Sequence, residues 1–249
     1  MIMRTAIARE NIRTNASQLA ASKKFKRYKK EKGIYTRKTG VCQSKGIKQI
    51  VDAWQRFGFE HSHCIEETDL NYKNALFVIK GLDYTAEDVT RFSLMLGKFQ
   101  DEKDFKDKAG LFMSALINSS NEDDFTVYTS HLEEIMFLGF SNSKNIVVMG
   151  LAGEYLCCDM KNGTVVVNGD ALEIGMQMKG GKIVIKGNAS SVGEEMNGGV
   201  VVIEGDVDMI WHTLKGGEIH VNGEIAYNCD ESFYSEGKIF HKGKLIVDK

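Results

Sequence analysis

Short apolar strands recur at a fixed interval over residues 145–249 of the chain. The segments TVVVNG, KIVIKG, VVVIEG, EIHVNG and KIFHKG each follow a glycine, and NIVVMG at 145–150 is an earlier, slightly offset copy. Four of the preceding glycines follow an 18-residue period, namely Gly163, Gly181, Gly199 and Gly217. Alternate apolar residues such as Ile183 and Ile185 fall on one face of each strand. Strands and glycine turns at one strict period predict a β-helix, in which each rung buries its inner face by stacking on its neighbours.

The pattern before residue 143 is different. Ile47, Ile50 and Trp54 are spaced as in a helix, and TAEDVTRFSLMLGKF and KAGLFMSALINSS predict two more helices. Thr85 and Asp88 form a capping-box pattern at the start of the first of these. NALFVIKG (74–81) and FTVYTS (125–130) are interpreted as strands. The predicted fold class is therefore mainly β, a right-handed β-helix over 143–249 with rungs of about 18 residues, preceded by a small α+β domain over 46–142 and a basic arm over 1–45, helical or extended.

The rungs carry a glycine pair, a strand of alternating Ile or Val, a closing glycine, and a methionine two residues before the pair. This pattern resembles the GXGXG β-helix domain, which forms the C-terminal part of the glutamate synthase large subunit and most of one of the subunits of formylmethanofuran dehydrogenase. The residues that carry the resemblance are Met178, Lys179, Gly180, Gly181, Met196, Asn197, Gly198 and Gly199, with Gly169, Gly175, Gly187, Gly193 and Gly205. The resemblance covers only the repeat region at 145–249. It implies a scaffold that packs against other protein parts and has no reaction of its own.

Charge divides the chain unevenly. The net charge of −2 combines 14 Lys and Arg and two acids in residues 1–48, a charge of +12, with 18 basic and 32 acidic residues in the rest, a charge of −14. Seven basic residues of the arm are interleaved with Phe25 and Tyr28: Lys23, Lys24, Lys26, Arg27, Lys29, Lys30 and Lys32. Such residues neutralise phosphates while aromatic rings stack on bases, so nucleic-acid binding through residues 1–48 is one hypothesis. The alternatives are a solvated tail and a tail that docks on the acidic body of this chain.

Chemistry-bearing residues are few. Glu194 and His212 lie one repeat apart, so adjacent rungs bring them together, either as an acid–base pair or as a surface ladder pair. His61, His63 and Cys64, with Cys42, are weak zinc candidates whose alternative is a solvated loop. Cys157 and Cys158 are adjacent, and a buried apolar role is favoured over a redox pair. No cofactor is expected.

These observations favour a non-catalytic structural or assembly protein. Its outer strand positions, Val166, Val184, Val202 and then His220, form a flat flank suited to a protein partner or a second copy. The alternatives are a nucleic-acid-associated protein that uses the arm, and an enzyme or enzyme subunit with a site between the α+β domain and the β-helix. Five cysteines without a CxxC pair, the absence of a long apolar segment and the lack of a secretory signal predict a cytoplasmic protein that is not in a membrane.

Overall fold

The computed structural model describes residues 44–60, 65–227 and 236–249. The helices are α1 (Lys45–Arg56), α2 (Ile65–Ile79), α3 (Ala86–Met95) with a 3₁₀ turn at Leu96–Lys98, and α4 (Phe105–Ser119). The strands are β1 (Asp124–Tyr128), β2 (Asn145–Met149), β3 (Thr164–Val167), β4 (Ala171–Ile174), β5 (Lys182–Ile185), β6 (Ala189–Val192), β7 (Val200–Ile203), β8 (Val207–Ile210), β9 (Lys215–Val221), β10 (Ile225–Tyr227), β11 (Glu236–His241) and β12 (Lys244–Asp248). Residues 1–43 of the predicted basic arm lie outside the described residues, and Ser44 and Lys45 belong to the start of α1.

The strands form a β-solenoid of about six turns over residues 124–241. The long sheet has the order β1-β2-β3-β5-β7-β9-β11-β12, and the short sheet has the order β10-β8-β6-β4. All neighbouring strands run parallel except β12, which returns antiparallel along β11. From β3 to β9, residues one repeat apart are direct partners, as in Ile183 with Val201. The prediction of stacked rungs from the 18-residue repeat is therefore confirmed.

Two sets of side chains fill the solenoid. The alternate strand positions that the sequence places inward are fully buried: Val165, Val167, Ile183, Ile185, Val201, Ile203, Ile219 and Val221. Met160, Met178, Met196 and Leu214 form a second buried column at the corner before the glycines. The helices share this core, since Trp54 and Phe112 are also fully buried and belong to the same continuous cluster.

The interpretation of residues 74–81 as a strand is wrong, because these residues lie mostly within α2. Tyr72, Ala75 and Ile79 are buried at spacings of three and four residues, while Phe77 is 79% exposed. That is one face of a helix, and a short apolar run does not distinguish a helix from a strand by itself. The capping box at Thr85 and Asp88 is confirmed at the start of α3.

The strand predicted at 125–130 corresponds to β1, and it is the first strand of the long sheet. Its free edge is covered by α3. The Thr90 hydroxyl donates a hydrogen bond to the Thr126 carbonyl (2.8 Å), and the Tyr128 N–H donates to Ser93 Oγ (3.0 Å). Two helix side chains thus form hydrogen bonds with backbone groups of β1 that would otherwise be free to pair with another strand.

Removing these two hydroxyls should weaken the covered edge. We expect Thr90→Val and Ser93→Ala each to lower the free energy of unfolding by about 1–2 kcal/mol, because each leaves one backbone group of β1 without its partner. Urea unfolding followed by circular dichroism measures the loss. Ser119→Ala, at an exposed position of α4, is the matched control and should stay within about 0.5 kcal/mol of wild type. Equal stability of all three variants would contradict the edge-covering role.

The opposite end of the long sheet is a hairpin. Lys242 and Gly243 connect β11 to β12 with φ values of 50° and 76°. Two successive residues at positive φ are what a two-residue type I′ turn requires. Among the described residues, no helix combines the length and the apolar character that crossing a bilayer needs.

Candidate interaction face

The outer face of the long sheet carries a column of mainly apolar side chains. Because the strands are in register, one outward residue per strand stacks in line, beginning with Thr126 of β1. We call the seven that follow, from β2 to β12, the valine column: Val147, Val166, Val184, Val202, His220, Phe240 and Leu245. Its two ends are the most open, with Val147 36% and Leu245 40% exposed. The column contains the four residues predicted from the sequence as a packing face, Val166, Val184, Val202 and His220, and adds three more.

His220 is an aromatic member of this column. Its ring stacks on Phe240 with a centroid distance of 4.4 Å and parallel planes. Its Nε2 lies 3.2 Å from Glu218 Oε2. The imidazole therefore continues the apolar stripe on its flat side and contacts a carboxylate at its edge.

Charged residues line the valine column on both sides. The first flank, two residues before the column, consists of Thr164, Lys182, Val200, Glu218 and Lys238. The second flank, two residues after it, consists of Lys186, Glu204, Asn222 and Lys242. Lys186 pairs with Glu204 and Lys242 pairs with Glu224. Lys182 is exposed and has no ion-pair partner within the part of the chain that the structure describes. An apolar centre with a charged rim is the general layout of a protein–protein interface.

Glu194 and His212 lie on adjacent rungs of the solenoid. Glu194 is partly buried and His212 is exposed. Within the described residues, no hydrogen bond or ion pair joins them, and the His212 ring lies 6.4 Å from the ring of Trp211. An acid–base role for the two stays a prediction.

The side-chain ladder of this corner runs one residue further along the chain. The Gln177 amide donates to Glu195 Oε2 (2.9 Å), Lys215 Nζ lies 3.2 Å from Glu195 Oε1, and the Glu195 N–H donates to Thr213 Oγ1 (3.1 Å). The hydrogen bond from Gln177, and then Lys215, lowers the pKa of Glu195. The signal was available in the sequence, because positions 177, 195 and 213 also follow the 18-residue period.

Carboxylates gather on this side of the rungs around Tyr155. Partial burial, followed by repulsion from Glu154 and Glu194, raises the pKa of Glu173 above its ordinary value. Partial burial and the neighbouring Glu195 likewise raise the pKa of Glu194. Tyr155 itself stacks on Phe137, with ring centroids 4.7 Å apart. Ionised carboxylates in this cluster therefore destabilise the folded protein.

Neutralising Glu173 should stabilise the protein at neutral pH. A carboxyl whose pKa is higher in the folded than in the unfolded state destabilises the fold when ionised, and this effect disappears as the pH falls below the unfolded pKa. We expect Glu173→Gln to raise the melting temperature by about 1–2 °C at pH 7 and to have no effect below about pH 4. Glu195→Gln is the matched control: its lowered pKa predicts the opposite sign at pH 7. Thermal unfolding at several pH values measures both, and a Glu173→Gln effect that does not change with pH would contradict the cause given.

The other predicted sites give little chemistry. Cys157 and Cys158 are free and buried, and burial raises the pKa of Cys158 to about 12, so both stay protonated thiols at neutral pH. The zinc candidates His61, His63, Cys64 and Cys42 lie outside the described residues, as do the seven basic residues of the arm. Within the described residues, no group of three or more His, Cys, Asp or Glu side chains is placed to hold a metal ion.

A surface cavity of about 410 Å³ lies between the start of α4 and the loop before β2. Its lining is strongly acidic: Asp101, Glu102, Asp104, Asp107, Glu133 and Glu134, together with Lys106. Lys106 pairs with Glu134 at 3.0 Å. Acidic residues at a helix start complement the helix dipole, which accounts for part of this composition. The cavity contains neither Glu194 nor His212.

Comparison with protein-family models, with curated proteins and with solved structures gives no significant match for this chain.

Proposed function

We propose that this protein is a non-catalytic structural or assembly module, and that the valine column with its two flanks is its protein–protein interface. The observation that carries the proposal is the continuity of the column across the long sheet from β2 to β12. Outward positions of an exposed sheet face are usually polar, whereas most of these are Val, Phe or Leu. Contiguous apolar surface of this kind marks interaction sites on soluble proteins.

The character of the solenoid supports the same role. The parallel rungs are held together by buried columns of Ile and Val, so the outer face of the long sheet is stiff and flat. Because this face is already ordered before a partner binds, association has a lower entropic cost. We further propose that the solenoid is a right-handed β-helix of the GXGXG type and works in the cytoplasm. The motif residues around Gly181 and Gly199 support the GXGXG type, and the cysteine usage supports the cytoplasm. In the resembling enzymes this domain packs against other protein parts, which agrees with an assembly role.

A site-specific crosslinking experiment tests the proposed interface. A photoreactive amino acid is placed at position 202, in the middle of the valine column, and in a control at position 208, where Asp208 is exposed on the short sheet. The proposal expects defined crosslinked peptides of one protein, a second copy included, at position 202 and none at position 208, identified by mass spectrometry in cells that produce the protein. No crosslink at 202, or the same products at both positions, would overturn it.

Nucleic-acid binding through the arm is a second candidate, favoured by the charge of +12 over residues 1–48. Lys and Arg contacts to phosphates make such binding strongly salt-dependent. RNA and DNA binding at physiological salt should fall at least about tenfold when residues 1–43 are deleted. Equal binding by both chains would exclude the arm as the binding element.

A further inference from the structure

The charge pattern of the first flank is self-complementary. Val202, on β7, is the middle residue of the column, with three outward residues on each side of it. Consider two copies whose long sheets face each other, related by a two-fold axis that runs parallel to β7 between them. This rotation places the valine column of one copy against the valine column of the other, with the order of the strands reversed. Under this rotation Val202 meets Val202 of a second copy, and Val184 meets His220.

The outer pairs follow the same rule. Val166 is placed opposite Phe240 and Val147 opposite Leu245, so every contact along the column joins residues with apolar or aromatic surface. No charged side chain of the column is buried against the partner. The centre of a protein–protein interface is typically depleted of charged residues, and this arrangement agrees with that rule.

The same rotation brings opposite charges of the first flank together. Lys182 and Glu218 lie one strand before and one strand after Val200, the flank residue on β7. The rotation therefore places Lys182 of each copy opposite Glu218 of the other, and the pair occurs twice. Lys182 has no ion-pair partner within the described residues, so this contact would supply one.

The other in-plane axis, along the valine column, gives a much poorer match. It keeps each strand opposite itself but exchanges the two flanks. Lys182 then faces Lys186, Lys238 faces Lys242, and Val200 faces Glu204. Like charges across an interface disfavour a partner or an orientation. The axis along β7 has one like-charge contact, between the two copies of Glu204, and each of these is already paired with Lys186 of its own chain. The flanks thus favour the axis along β7.

We infer that the occupant of this face is a second copy of the chain, packed by a two-fold axis along β7 with two Lys182–Glu218 pairs; this inference rests on the proposed interface. Strands about 4.8 Å apart give the column a length of about 29 Å, and its three rows span about 20 Å. The projected area of about 600 Å² per copy is at the lower end for specific complexes, so we expect a dimer of micromolar affinity.

Charge reversal on the full chain tests the inference. Sedimentation velocity from low to several hundred micromolar protein should show a monomer–dimer equilibrium for wild type. Lys182→Glu and Glu218→Lys should each raise the dissociation constant about tenfold or more, because each creates two like-charge contacts. The double variant restores opposite charges and should return to within about threefold of wild type. Asp208→Lys, on the short sheet, is the charge-matched control and should not change the constant.

The outcomes separate this inference from the proposed function. A wild-type chain that stays monomeric over the whole range overturns the second copy, and so does a double variant as weak as the singles. If position 202 still crosslinks to a different protein, the interface stands and only its occupant was wrongly assigned. Monomeric wild type without a crosslink at 202 overturns both. Thermal unfolding of each variant confirms that the fold is intact.

Discussion

Replacing Gly110 by alanine should destabilise the protein by at least about 3 kcal/mol, although alanine is the better helix former by about 1 kcal/mol. Gly110 lies in the middle of α4 and is buried. A Cβ at this position would lie 1.6 Å from the carbonyl oxygen of Met136 and 2.7 Å from its carbonyl carbon. Both are backbone atoms of the loop between β1 and β2, so no side-chain rotation relieves the contact. Urea unfolding measures the loss.

Ser114, one helical turn after Gly110, explains why α4 must come this close. Its Oγ accepts hydrogen bonds from the N–H groups of Gly139 (2.8 Å) and Phe140 (3.2 Å). The hydroxyl also lies 2.7 Å from the Gly110 carbonyl oxygen and 3.0 Å from that of Phe137. Ser114→Ala leaves the Gly139 N–H without an acceptor, whereas the Phe140 N–H keeps its hydrogen bond to the Phe137 carbonyl (3.1 Å). We expect a loss of about 1–2 kcal/mol.

Gly58→Ala is the control for Gly110→Ala. A Cβ at Gly58 has no heavy atom within 4 Å, and its φ is not in the left-handed region. We expect a change below about 0.5 kcal/mol. If Gly110→Ala were as mild as this control, α4 would not be locked against the first rung, and the solenoid would need another cap at this end.

The rungs could be predicted from the sequence because one constraint repeats. Each inward position must match the equivalent position of the next rung, so Ile183, Val201 and Ile219 identify one another without knowledge of any other part of the fold. The period also predicts the outward residues Val184 and Val202. The ends of the valine column could not be found in this way, because β2 and β11 are offset from the period by one and two residues.

The helical part could be predicted only locally. Periodicity and capping residues identify α1, α3 and α4, but they contain no information on which surface each helix contacts. The contact of Gly110 with Met136, and of Thr90 and Ser93 with β1, joins residues 26 to 36 positions apart. Such contacts have no repeat to reveal them. For the same reason the apolar run at 74–81 suggests a strand, since nothing local shows that Phe77 points away from the core.

Replacing Gly199 by alanine should cost about 3–4 kcal/mol, the sum of two separate effects. Its φ of +93° lies beyond the region that residues with a Cβ adopt readily. A Cβ would also lie 2.9 Å from the Gly181 carbonyl oxygen and 3.0 Å from the Gly180 carbonyl carbon of the preceding rung. The backbones of two rungs approach so closely here that only hydrogen fits between them.

Gly243→Ala separates the two effects. Its φ of +76° carries the backbone strain, but a Cβ there has no heavy atom within 4 Å. We expect this variant to lose only about 1 kcal/mol by the same urea measurement. Glu195, at φ 51° in the same rung as Gly199, shows that this solenoid accepts a side chain in the left-handed region where space is available. Equal losses for Gly199→Ala and Gly243→Ala would mean that backbone strain alone requires the repeated glycine. A larger loss at Gly199 would mean that glycine repeats every 18 residues because the backbones of stacked rungs come too close for a Cβ.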